Sequence, residues 1–377
     1  MVKQIHIENY KSVQSLDIEL GRLNVFIGAN GCGKTNILEA IALGSAAAAD
    51  KLDHEFLGSR GIRVTEPKWM KSGFKNEFFD KEILIKFSSF EHWLSLVINY
   101  YKDIEDDFFS KWEAQMNTSE DEDRKFIDES LYEHLPEHTA KWETIAKSLK
   151  SKILIINLRL STFLIFSPEN YFLRRFEGES QIKPLGIRGE GLFSHLVELI
   201  QKPKIFNKIK EHLQLMDWFD DFEIPNDLYF NQRKITIKDR FIAEGLQYFD
   251  QRSANEGFLY LLFYVTLFIS PYTPKFFAID NIDNSLNPKL CSELTKMLAQ
   301  LAKEHDKQAI LTTHNPAVLD GLNLNDQEQR LFVIYRNADG HTKAQRILKK
   351  EVPNGMSPVK LSEQFLRGYL GGLNENF

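Results

Sequence analysis

The sequence predicts an α/β chain organised around a phosphate-binding loop, and three stretches carry that prediction. Gly28-Ala29-Asn30-Gly31-Cys32-Gly33-Lys34-Thr35 fits G-x-x-x-x-G-K-S/T and lies between an apolar strand pattern, Leu23–Ile27, and a helical one, Asn36–Leu43. Phe276-Phe277-Ala278-Ile279-Asp280 is an apolar strand ending in an acid. Ala309-Ile310-Leu311-Thr312-Thr313-His314 is another apolar strand, ending at a histidine.

The chemistry of the loop follows from its residue types. Glycines allow close wrapping around phosphates, while successive backbone N–H groups and the helix N-terminus face the negative charge. Lys34 reaches the β and γ phosphates, and the Thr35 hydroxyl holds Mg²⁺. Asn30, Gly31, Cys32, Gly33, Lys34, Thr35 and Asn36 are therefore the expected nucleotide contacts.

Composition narrows the class. The chain has 377 residues, enough for a large core or a core with an inserted module. At 43% hydrophobic and 27% charged it reads as globular rather than disordered. No apolar run approaches a membrane span, and the first residues enter a strand pattern without a signal-peptide core, so no membrane association is expected. Cys32 and Cys291 are too few for a disulfide framework, and a cytoplasmic location is expected. A net charge of −6 gives no global attraction to nucleic acid, although a local basic surface stays possible.

In chain order, residues 3–9 and 15–20 read as two paired strands, and the helix after the loop is expected to fade at Gly44–Ala49. Arg60-Gly61-Ile62-Arg63-Val64 is a loop to which the pattern gives no role, and Glu82–Phe87 alternates as a strand. Ile104, Phe108, Phe109, Trp112 and Met116 recur at helical spacing, as do Trp142, Ile145 and Leu149, with Glu120–Asp123 between them. This predicts a helical insertion with an acidic, solvated turn. Leu154–Phe166 is expected as a strand, Leu192–Ile200 and Ile205–Phe219 as helical, and Ile224–Phe230 with Lys234–Ile237 as a strand pair. Near the C-terminus, Leu361 to Leu370 fits one amphipathic helix closed by Gly371-Gly372.

Ile7-Glu8-Asn9-Tyr10-Lys11-Ser12, followed by Phe26-Ile27-Gly28-Ala29-Asn30-Gly31, resembles the start of SMC/RecF/OLD-type ATPases of the ABC superfamily. The resemblance implies that Lys11 and Ser12 lie near the nucleotide; an ordinary polar hairpin is the alternative. Phe276–Asp280, with Asp283, Leu286 and Pro288, is similar to the family's Walker B segment, where Asp280 would hold Mg²⁺ through water together with Thr35. Ser253-Ala254-Asn255-Glu256-Gly257, at the head of the apolar stretch Leu259–Ile269, has the place and shape of an ABC signature. The resemblance assigns Asn255, Glu256 and Gly257 to the γ-phosphate bound by a second subunit, and His314 to the switch histidine.

Two departures stand out. The family's catalytic glutamate follows the Walker B aspartate, and here that position is Asn281. An amide cannot take a proton from water near neutral pH, so general-base help is lost unless Asp283 supplies it. The signature serine is replaced by Asn255, or displaced to Ser253.

The resemblance implies an α/β, ABC-type P-loop ATPase head with a helical insertion, divided at residues 1–90, 91–152, 153–245 and 246–377. Asp280, Asn281, Asp283 and His314 form the expected catalytic set, with ATP and Mg²⁺ as cofactors. Pairing as a homodimer or higher even oligomer through the ATP sites is expected. A separate nuclease or toxin effector in anti-phage defence is the implied partner. A DNA-clamping repair or chromosome-maintenance ATPase and a non-hydrolysing scaffold are the alternatives.

Overall fold

The computed structural model describes residues 1–74, 81–90, 92–101, 111–119, 152, 154–156, 158–176, 182–225, 233–243, 245–246, 248–349 and 359–371. The chain divides into two units, one formed by Met1–Gly21, Gly31–Phe163 and Ile334–Ala344, the other by Arg22–Asn30, Leu164–Val333 and Gln345–Phe377. This division follows neither the expected boundary at residue 90 nor those at 152 and 245.

In the first unit, β1 (Gln4–Tyr10), β2 (Val13–Glu19), β4 (Ile83–Ser88), β5 (Trp93–Tyr101) and β6 (Lys111–Thr118) form an antiparallel sheet in the order β2-β1-β4-β5-β6. Strict alternation buries Ile5 and Ile7, Ile83, Ile85 and Phe87, and Leu94, Leu96 and Ile98 on one face. The phosphate-loop helix α1 (Lys34–Ala48) packs on β4 so closely that a Cβ on Gly44 would lie 2.8 Å from the Phe87 ring. The helix therefore runs through the stretch where it was expected to fade, because Ser45, Ala46 and Ala47 are buried. Two short helices follow, α2 (His54–Ser59) and α3 (Pro67–Met70).

The expected helix through Trp112 and Met116 is β6 instead. Residues four apart share a face in a helix and in a strand alike, and pairing with β5, Leu96 opposite Met116, decides for the strand. The rest of the expected insertion, including Ile104, Phe108, Phe109, Glu120–Asp123, Trp142, Ile145 and Leu149, lies outside the described residues.

The second unit is built on a six-stranded sheet in the order β14-β13-β3-β12-β11-β7, from β3 (Leu23–Ile27), β7 (Ile165–Phe166), β11 (Phe276–Ile279), β12 (Gln308–Thr313), β13 (Gln329–Arg336) and β14 (Thr342–Ile347). The pairs β11/β7, β11/β12, β12/β3 and β13/β3 are parallel. Parallel strands are covered on both faces, which is why β3, β11 and β12 read as unbroken buried runs. The remaining helices are α4 (Asn170–Arg175), α5 (Leu192–Ile200), α6 (Pro203–Leu213), α7 (Glu256–Ile269), α8 (Pro288–Glu304) and α9 (Leu361–Leu366). Helix α7 is buried from Gly257 to Ile269, the central helix of this core rather than an amphipathic surface one. A smaller sheet, β10-β9-β8, comprises β8 (Phe219–Glu223), β9 (Thr236–Asp239) and β10 (Tyr248–Asp250). Its Phe219 stacks 5.3 Å from Phe258 of α7.

Three further expectations change. Among the described residues of Leu154–Phe166, strand is confined to Ile165–Phe166; Leu158 N–H bonds the Leu154 carbonyl at 2.9 Å, closing a helical turn that an apolar run cannot distinguish from a strand. The strand that pairs with β9 is Phe219–Glu223, with a bulge between Phe219 and Asp221, and ends before the expected Ile224–Phe230, of which Ile224 and Pro225 are not strand and the rest lie outside the described residues. The C-terminal helix stops at Leu366, and Gly368 takes a left-handed φ of 76°. Leu366 and Tyr369 consequently stay exposed while Phe365 and Leu370 enter the core. Among the described residues no helix is long and apolar enough to cross a membrane.

Candidate nucleotide site

Each unit carries one group of the expected site residues. Of the phosphate loop, Gly31 to Asn36 lie in the first unit and Asn30 in the second, and the chain enters α1 through Gly33, which has φ 106°. No side chain caps this helix start, and no acid lies in its first turn. Its N-terminal N–H groups thus suit an anion from outside the helix. A Cβ on Gly33 would lie 2.0 Å from Thr342 Oγ1, so only glycine lets the loop pass there. Lys34 is buried, with Nζ 3.8 Å from Cys32 Sγ, while Thr35 and Asn36 are half-buried. The lysine ammonium, threonine hydroxyl and helix N-terminus form a donor set that fits a triphosphate with Mg²⁺.

Lys11 and Ser12, in the turn between β1 and β2, join this group. Asn36 Nδ2 donates to Ser12 Oγ at 2.7 Å, and Ser12 Oγ lies 2.7 Å from Thr342 Oγ1. Lys11 Nζ donates to Glu39 Oε2 at 2.5 Å. Glu39, fully buried on α1, also accepts from Arg63 Nε at 2.7 Å and from the Arg63 backbone N–H at 3.1 Å. A buried carboxylate in a loop helix needs this double cation partnership. The same carboxylate lies 3.5 Å from the Tyr10 hydroxyl, whose pKa is driven well above the usual phenol value by burial and then by the Glu39 charge. Arg63 Nη2 in addition donates to Asn36 Oδ1 at 3.2 Å. Nothing in the sequence spacing of Glu39, Arg63 and Thr342 ties them to the loop.

In the second unit, Asp280 and Asn281 follow β11 directly. Thr312 Oγ1, on the neighbouring β12, donates to Asp280 Oδ1 and accepts the Asn281 N–H at 2.9 Å. Asp283 Oδ1 accepts from Thr313 Oγ1 at 2.6 Å. The pair Thr312-Thr313 thus orients both acids, and its position just before His314 was the available sequence signal. Asn281 has φ 57°, a left-handed conformation that asparagine tolerates better than most residues. The Cys291 thiol is pushed up to about 11, by burial first and by the Asp283 charge second. His314 is exposed at the end of β12.

The signature stretch lies in the same unit. Asn255 Oδ1 caps α7, accepting from Phe258 N–H at 2.8 Å, which leaves its Nδ2 as a donor. Glu256 accepts from Ser285 Oγ at 2.7 Å and from Asn170 Nδ2. Arg174 Nη1 donates to the Ala254 carbonyl at 2.8 Å and Nε to Asn170 Oδ1 at 3.1 Å, shaping the approach to the helix. Asn287 caps α8 in the same way, through Leu290 N–H at 2.9 Å. The two helix starts open on a cleft of about 640 Å³ walled by Met216 and Trp218.

Comparison with known proteins agrees with this architecture. Residues 23–320 match the family described as "AAA domain, putative AbiEii toxin, Type IV TA system". An OLD nuclease from Thermus scotoductus is 42% identical over 43 residues, 11% of this chain and 8% of that protein. The DNA replication and repair protein RecF of Alkaliphilus oremlandii is 38% identical over 56 residues, 15% of each chain. These matches span a small part of the relatives' lengths. A crystal structure of an Smc head bound to the C-terminal winged-helix domain of ScpA aligns with TM-score 0.55 and 14% identity, covering 92% of this chain and 98% of that one. The chain belongs to this AAA-domain family and has the ABC-type P-loop fold of the SMC/RecF/OLD-like ATPases.

Proposed function

We propose that this chain binds Mg²⁺-ATP at the Lys34 loop and pairs head to tail with a second copy, whose α7 start at Asn255-Glu256-Gly257 receives the γ-phosphate. The reading rests chiefly on the left-handed Gly33 that turns the loop into α1 beside the buried Lys34. Bound Mg²⁺ would offset phosphate charge and orient the γ-phosphate, with Thr35 and Asp280 as its holders. Lys34 neutralises the β and γ phosphates, and Asn255 Nδ2 donates across the dimer. Thr312 keeps Asp280 aimed, and His314 would supply a polar contact to the γ-phosphate.

Turnover is slow on this reading. Asn281 offers no base, and the Asp283 carboxylate is committed to Thr313. A closed dimer that persists suits a sensor and scaffold for a separate effector in anti-phage defence, a role supported by the toxin–antitoxin wording of the family description. The DNA-clamping alternative draws on the RecF match alone.

Sedimentation with and without Mg²⁺-ATP tests the reading. Wild type should pair only with ATP. Lys34→Ala should lose binding and pairing together. Asn255→Asp keeps the helix cap but sets a carboxylate against the γ-phosphate, so it should bind ATP as a monomer. A wild-type chain that stays monomeric with ATP contradicts the dimer.

A further inference from the structure

We infer that Thr342 is a positioning residue for the phosphate loop, acting through a one-way chain of hydrogen bonds that ends on the Cys32 carbonyl. The direction of the chain follows from counting protons. Thr342 Oγ1 has one hydrogen, and a carbonyl can only accept, so that hydrogen goes to Cys32 O at 2.9 Å. Ser12 must then supply the hydrogen of its 2.7 Å contact with Thr342. Ser12 Oγ in turn accepts from Asn36 Nδ2 at 2.7 Å, and Asn36 Oδ1 accepts from Arg63 Nη2 at 3.2 Å. Every donor points the same way, from the Arg63 guanidinium to the loop carbonyl, so each bond polarises the next.

The geometry around Thr342 supports this assignment. Its backbone N–H also donates to Ser12 O at 2.8 Å, so the residue is held by main chain as well as side chain. The turn before it is closed by Asn337 N–H to His341 O at 3.0 Å and by His341 N–H to Asn337 Oδ1 at 2.9 Å. Phe74 packs edge-on against the His341 ring at 5.2 Å. Thr342 is fully buried, and it stands where any side chain at position 33 would have to go. A residue 310 positions downstream in sequence thus sets where the Cys32 peptide sits, and with it the plane of the following N–H in the loop.

The inference rests on the nucleotide reading above. Its test is calorimetric titration of Mg²⁺-ATP into wild type, Thr342→Val, Thr342→Ser, Ser12→Ala and Lys34→Ala, with the melting midpoint of each nucleotide-free protein measured alongside. Thr342→Val keeps the shape and removes the hydroxyl. It should weaken ATP binding about tenfold, the consequence of an unpaired buried carbonyl in the loop. Thr342→Ser should restore affinity to within about twofold of wild type, and Ser12→Ala should fall between the two. A purely structural role would lower the melting midpoint of Thr342→Val and leave the affinity of the folded protein unchanged. Wild-type affinity in Thr342→Val, or equal weakness in Thr342→Ser, overturns the inference while Lys34→Ala still loses binding. If Lys34→Ala also binds normally, the nucleotide reading itself fails and this inference with it. Should Thr342→Val not fold, Ser12→Ala carries the same test: weakened binding supports the chain, and wild-type affinity overturns it.

Discussion

The phosphate loop and the Walker B strand hold their functional groups by different means. Asp280, Asn281 and Asp283 are oriented by Thr312 and Thr313, adjacent residues on the next strand of one sheet. The loop from Gly31 to Asn36 is supported instead by side chains from the turn at Ser12, from Arg63 and from Thr342. The first arrangement is local in the sheet, and strand register alone delivers it. The second gathers segments distant in sequence and depends on a buried charge to bind them. The comparison predicts that the loop's support is the more costly to break.

Glu39→Gln tests the costlier side. Glu39 is buried from water between two cations, with Lys11 13% and Arg63 64% exposed. Removing its charge leaves Lys11 uncompensated, so urea denaturation should show a loss of about 3 kcal/mol. A loss below about 1 kcal/mol would place the cluster among ordinary surface ion pairs. Thr312→Val tests the other side. It removes one hydrogen bond from the Asp280 carboxylate and the acceptor of the Asn281 N–H, and should cost about 2 kcal/mol, with Thr312→Ser recovering most of it. Equal effects for serine and valine would show that packing, not the hydroxyl, matters at this position.

These supports explain what could be read from sequence and what could not. The loop, Asp280, the start of α7 and His314 sit at spacings that follow from strand and helix geometry, so a linear pattern exposes them. Glu39 and Thr342 carry no such signature, because their partners are set by the fold and not by spacing. Trp112 and Met116 misled for a related reason: their separation fits both periodicities, and only pairing with β5 chooses between them. Asn281 was legible as a departure, but its left-handed φ gives it a backbone role as well, which no spacing reveals.

The smallest expected effect lies at His195 on α5, against the C-terminal end of α7. His195 is buried and bonds Ser270 at 2.8 Å, and its pKa is lowered by burial first and by the nearby Lys307 charge, against an opposing pull from Glu198. The fold therefore favours neutral imidazole. The stabilisation is complete above the unfolded value of about 6.5 and is lost as pH falls below it toward the folded pKa. Stability should decline by at most about 1.4 kcal/mol per pH unit from this group as pH drops from about 6.5. His195→Gln should flatten that slope relative to wild type; an unchanged slope would assign it to other groups.

The most direct test of slow turnover is the single-turnover rate of ATP hydrolysis in wild type, Asn281→Glu and Asp283→Asn. Glutamate at a left-handed φ costs about 1 kcal/mol of backbone strain, too little to unfold the chain. If Asn281 is what keeps the ATP-bound dimer closed, Asn281→Glu should raise the rate by about 10²-fold or more and shorten the life of the dimer, while Asp283→Asn changes little. Fast wild-type hydrolysis that collapses in Asp283→Asn, with Asn281→Glu no faster than wild type, would contradict it.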